Sequence, residues 1–218
     1  MHNPVRPEEW EAMWPALQSL LPAAVDEVQE LYRFRGVTML ELGNKLNSKC
    51  GPDKNETVTY KAWFTGQGMH HVSVDINGKD GALPIDLRCN LMDALAQRNQ
   101  PTQYDIITNI GTTEHVRDSQ TAVWANLWQC LKPGGWLVCC TPMPGDWWWH
   151  GEWYPTSAFY EQLATRNGMV AAWISQYGQP PRRCLSFRAR KPVHGADVFT
   201  MPDMDTLVYN KMRGHAPA

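Results

Sequence analysis

Three acidic side chains stand where apolar runs end. Glu41 sits near the close of "VTMLELG", Asp75 near the close of "HVSVDI", and Asp86 behind "ALPI". In an open α/β sheet, ligands bind outside the carboxyl ends of the strands. A carboxylate placed there accepts charge-assisted hydrogen bonds, which are stronger than neutral ones. Gly43 follows the first run, and with no β-carbon it lets backbone pass close to a ligand. A second constellation lies in "TPMPGDWWWHGEWYPTSAFY". There His150 has the side chain whose ordinary pKa suits a general base near neutral pH. Asp146 is close enough in sequence to orient it or to hold substrate. Trp147, Trp148, Trp149 and Trp153 surround the pair, and indoles stack on planar or cationic groups. The plainer reading makes them cover for a sheet or a subunit contact.

Composition narrows the classes. The 218 residues suffice for one domain with a full core. Net charge is −2, so no strongly basic field indicates nucleic acid. No apolar run approaches the roughly 20 residues that span a membrane, and the N-terminal stretch is acidic where a signal peptide is apolar. These features read as a soluble cytoplasmic protein. The six cysteines include no C-x-x-C pair, so no metal site is expected from spacing. Arg182, Arg183, Arg188, Arg190 and Lys191 form one basic cluster, read mainly as a solvated strand face.

The elements that must position these residues follow from periodicity. Residues 7–33 read as one or two amphipathic helices. Strands are expected at 37–42, 71–76, near 83–87, at "YDIITNI", in "LKPGGWLVCCTP" after a Pro-Gly-Gly turn, and in "MVAAWISQYG" and "RCLSFRARK". Helices are expected at 57–65, 91–98, 119–131 and 156–167, with a polar loop at 47–56. Strands alternate with helices until a final antiparallel pair, the signature of a doubly wound α/β sheet. The expected architecture is a mostly parallel seven-stranded sheet with an antiparallel last strand. An N-terminal helical extension occupies 1–35, the main domain 36–191, and a tail 192–218.

This ordered set resembles the class I S-adenosylmethionine (SAM)-dependent methyltransferases over about residues 36–190. "LELGNK" is similar to the family's first strand and cofactor loop, and "HHVSVDING" to its second strand with an acidic end. "ALPIDL" is similar to the third acidic position, "YDIITNIGTTEHV" to the fourth strand and turn, and "LKPGGWLVCCTP" to the fifth strand. The wording also resembles methyltransferase-like sequences of phage and metagenomic origin. The resemblance implies SAM as cofactor, with Asp75 on the ribose hydroxyls, or capping the "DING" turn on the plainer reading. It implies Asp86 on the adenine amino group and Leu87 beside the ring. Glu41 either accepts from the methionine ammonium or orders the loop. Gly43, Asn109 and Gly111 line the methionine portion. Glu114 and His115 open the next turn, where capping is the plain reading. The repeated glycines of a dinucleotide turn are missing, so Asn44 is expected to supply a left-handed conformation.

Acceptor classes thin out by motif. The Asp/Asn-Pro-Pro-aromatic turn of enzymes acting on DNA amino groups is replaced by "NIGTTEH", and no Pro-Cys nucleophile dipeptide occurs. The expected activity is methyl transfer to a small-molecule or peptide-like acceptor. Other SAM chemistry, such as cleavage, and a non-catalytic binding role on the same fold are the alternatives. Oligomeric state is not readable.

Overall fold

A computed structural model describes residues 34–47, 58–147, 150–195 and 198–209, with Pro15 isolated. The expected helices at 7–33, most of the 47–56 loop, Trp148 and Trp149 lie outside the described residues.

Six strands form the main sheet: β1 (Thr38–Leu42), β4 (His70–Val74), β5 (Tyr104–Ile110), β6 (Leu131–Pro142), β8 (Val170–Tyr177) and β9 (Cys184–Arg190), in the order β4-β1-β5-β6-β9-β8. β1 pairs in parallel with β4 and β5, and β5 with β6. β9 runs antiparallel between β6 and β8. The expected seventh strand near 83–87 is reduced to one parallel bridge, Val74 to Leu83. Pro84 follows Leu83, and a proline has no N–H to extend a ladder. The Pro-Gly-Gly stretch does not precede β6 but interrupts it. Leu131 pairs with Tyr104 and Trp136 with Ile106, so four residues of β6 bulge opposite one of β5.

Alternation along the strands divides the core. Leu40, Leu42, Val72, Val74 and Ile107 face one side, under α2 (Leu91–Ala96), α3 (Gln120–Cys130) and α4 (Ser157–Arg166). Met39, Ile106, Val138 and Cys140 face the other, under α1 (Tyr60–Gly66), which contributes Tyr60 and Phe64. Short polar residues start α1, α2 and α4, each accepting an orphan N–H of the first turn; Ser119 before α3 is left-handed and makes no such bond. Thr59 accepts from Ala62, Asn90 from Asp93, and Thr156 from Phe159. At the amino ends of the strands, Asp105 accepts from Thr38 and Lys132, tying β1, β5 and β6 together.

Two small ladders flank the sheet. β2 (Leu46–Asn47) pairs antiparallel with β3 (Val58–Thr59). β7 (Trp153–Pro155) pairs antiparallel with β10 (Leu207–Tyr209). The segment after Lys191 therefore returns to the domain, and Phe199 and Met201 pack against its core.

Candidate active site

The chain reverses direction across the sheet between β1 and β5, where a doubly wound fold opens its ligand crevice. A cavity of about 500 Å³ lies there. Its walls include Gly43 after β1, Asp75 after β4, Asp86 and Leu87 after the vestigial strand, and Gly111 after β5. Asn44 also lines it, whereas Glu41 and Asn109 do not. Lys45, Ile76, Arg88, His115 and Arg117, which no sequence motif marks as ligand-facing, complete much of the wall.

Gly43 makes the tight turn with φ +82°, and a β-carbon there would lie 2.5 Å from Thr112 Oγ1. That hydroxyl donates to the Leu42 carbonyl at 2.8 Å. The left-handed residue of this loop is thus Gly43; Asn44, expected to adopt that conformation, does not have positive φ. Its amide instead donates to the Lys79 carbonyl and, at 3.3 Å, to Asp80.

Glu41 lies beneath the loop, 1% exposed. Its Oε1 accepts from the Lys45 N–H at 2.9 Å, so it orders the loop. Burial raises its pKa to about 8. His71 Nε2 is 3.4 Å from Glu41 Oε2, an ion-pair distance, yet burial also lowers the His71 pKa to about 3. Both shifts favour the uncharged forms, which makes this a neutral pair. Asn109 is likewise a supporting residue. Its amide donates to Thr113 Oγ1 at 2.8 Å and its oxygen accepts from the Thr113 N–H, which fixes the turn after β5.

Asp75 Oδ1 accepts from the Asn77 N–H at 2.9 Å, the turn-capping geometry. Its other oxygen accepts no hydrogen bond from a described residue. Asp86 is gripped by Arg88, whose Nη2 approaches to 2.6 Å, and these bonds hold its carboxyl below the ordinary range. Leu87 is buried, and its carbonyl accepts from Asn126 at 3.0 Å.

The acceptor-side residues are rearranged relative to expectation. Asp146 does not hold His150: Arg183 donates to it from its backbone N–H, Nε and Nη2. The carboxylate beside His150 is Glu114, with Oε1 3.6 Å from His150 Nε2 and 3.7 Å from His115 Nε2. The two imidazoles meet edge to face, 4.7 Å between centroids. Trp147 packs beside His150 and donates to the Arg183 carbonyl at 2.7 Å. Trp153 packs on Tyr209 and donates to the Arg117 carbonyl. Neither indole lines the cavity, so both serve as cover. The basic cluster is dispersed as well. Arg188 stacks over Trp173, and Lys191 is buried against the Trp128 and Leu131 carbonyls.

Residues 32–190 match the family described as "Methyltransferase domain". The chain belongs to this methyltransferase family. No curated protein sequence matches significantly. Among solved structures, an S-adenosylmethionine-dependent methyltransferase structure from Listeria monocytogenes aligns with TM-score 0.50 and 12% identity, over 83% of this chain and 98% of that one. A Burkholderia thailandensis 1,6-didemethyltoxoflavin-N1-methyltransferase aligns with TM-score 0.47 and 15% identity, over 83% and 78%. Phosphoethanolamine N-methyltransferase 2 from Haemonchus contortus aligns with TM-score 0.46 and 12% identity, over 84% and 53%, so the chain spans about half of that protein. The last two were crystallised with S-adenosylhomocysteine. The Haemonchus contortus enzyme was also crystallised with S-adenosyl-L-methionine.

Proposed function

We propose that this methyltransferase transfers a methyl group from SAM to a small-molecule or peptide-like acceptor seated against the Glu114–His115–His150 corner. The observation that carries the reading is the roughly 500 Å³ cavity at the carboxyl ends of β1, β4 and β5. That size suits a cofactor. Asp75 offers a carboxylate oxygen to the ribose hydroxyls. Leu87 and the Asp86 strand end flank the adenine position, and Ile76, 72% exposed on the cavity wall, supplies apolar surface for a ring to cover. Gly43 and Gly111 keep the backbone close to the methionine portion. Lys45 brings its ammonium beside Gly111, where it suits the methionine carboxylate.

Bound SAM supplies an electrophilic methyl group on a sulfonium. The chain's own contribution is alignment of the acceptor for in-line attack, the largest share of acceleration where the nucleophile is good. Where the acceptor carries a proton, His150 takes it, steadied by the Glu114 carboxylate at 3.6 Å. Calorimetric titration with SAM and S-adenosylhomocysteine tests the reading, with saturable one-site binding of both expected. A folded protein that binds neither would overturn it.

A further inference from the structure

The corner that serves the acceptor has a composition the proton-transfer role does not require. Glu114, His115 and His150 each bring one ligand atom within 4.8 Å of the others. Two imidazole nitrogens and one carboxylate oxygen form a donor set that suits zinc, iron, cobalt or nickel. Around a tetrahedral ion with ordinary zinc bond lengths, donors stand about 3.4 Å apart. The two Glu114–histidine distances, 3.6 and 3.7 Å, are within a few tenths of that.

The carboxylate is the second, independent observation. The Glu114 side chain is 0% exposed, and neither of its oxygens accepts a hydrogen bond from a described residue. A buried carboxylate ordinarily has donors on both oxygens or coordinates a metal. Its backbone is held firmly. Glu152 N–H donates to the Glu114 carbonyl at 2.7 Å, and Gln120 donates to the Thr113 and Val116 carbonyls on either side. The imidazoles, in contrast, are about one-third exposed, and His115 lines the methyl-donor cavity.

We propose that Glu114, His115 and His150 bind a divalent transition-metal ion whose open positions face the cavity and take an oxygen or nitrogen donor of the acceptor. Three protein ligands with a remaining position is the pattern of a catalytic rather than a structural site. The spacing escapes sequence inspection because the adjacent Glu114-His115 pair is completed by a histidine from beyond β6. Metal binding itself stands apart from methyl transfer; only the acceptor's coordination rests on the function proposed above. Ion and proton compete for the same His150 lone pair, so metal occupancy replaces the base role with orientation of the acceptor.

Cobalt(II) titration of the tag-free, chelator-stripped full chain tests this, read by the visible ligand-field bands. One equivalent is expected to bind, with zinc(II) displacing it. His115→Ala and His150→Ala, both at partly exposed positions, are expected to weaken cobalt binding by roughly tenfold or more, and His150→Ala, which lies outside the cavity wall, to leave SAM affinity unchanged. Absence of stoichiometric binding, or equal cobalt affinity in both variants and the wild type, would overturn the site. SAM calorimetry on the same samples separates the two claims: SAM binding without cobalt removes the metal and spares the methyltransferase reading, and cobalt binding without SAM does the reverse.

Discussion

Gly151 is packed so tightly on Glu114 that a β-carbon at position 151 would lie 2.7 Å from Glu114 Cγ. The β6–β7 connection therefore sets the position of the buried carboxylate. Gly151→Ala is expected to push Glu114 out of line with both histidines. The overpacking should lower stability by about 1–3 kcal/mol and reduce turnover while sparing SAM affinity. Denaturant melts paired with SAM calorimetry check this; unchanged stability and turnover would mean that the loop yields freely.

Gly43 carries a different constraint, because its backbone is left-handed at φ +82° and Thr112 fills the space where a side chain would go. Gly43→Val is expected to abolish SAM binding by displacing the loop against Thr112 rather than by direct overlap with the cofactor. Calorimetry on the folded variant is the measurement, and wild-type affinity would refute it.

For Asp75→Ala the expected loss of SAM binding is about 1.5–3 kcal/mol, the range for hydrogen bonds to charged groups. The turn to Asn77 loses one bond, so the fold should persist. Equal affinity in the two proteins would leave Asp75 only its turn-capping role.

Much of the scaffold was legible because its signals are local. Val72, Val74 and Ile76 alternate, the helices expected at 91–98, 119–131 and 156–167 form there, and the ordered strand ends place Asp75, Asp86 and Gly111 around one crevice. What escaped is decided by contacts distant in sequence. Arg183 claims Asp146 from 37 positions away, and Glu114 reaches His150 across the whole of β6. The seventh strand failed on a single residue, Pro84, whose missing donor a count of apolar residues does not register. In the sequence Glu114 and His115 read only as the opening of a turn; a buried acid beside a histidine, facing another histidine, emerges when β6 and β7 fold them together.

His150 and Asp146 now separate as targets. If His150 is the base, His150→Ala should lower turnover by about 10²–10⁴-fold with SAM affinity preserved. Asp146→Asn should instead loosen the Arg183 anchor and lower the melting temperature with little effect on chemistry. Steady-state kinetics beside thermal melts distinguishes them, and a turnover defect of equal size in both variants would restore Asp146 to the site.

The Glu41–His71 pair makes stability depend on pH in a definite direction. Glu41 is raised from about 4.5 to about 8 by burial, so between those values the folded state holds a proton that the unfolded state has released. Stability from this residue is present below about pH 4.5 and declines as pH rises towards 8. His71, lowered from 6.5 to about 3, acts oppositely: its share is present above 6.5 and is lost as pH falls towards 3. Glu41→Gln keeps an oxygen for the Lys45 N–H while removing the titration. Its melting temperature relative to wild type should therefore climb steadily from pH 4.5 to pH 8. Parallel melting curves across that interval would show that Glu41 is ionised in the fold, and the neutral pair with His71 would have to be abandoned.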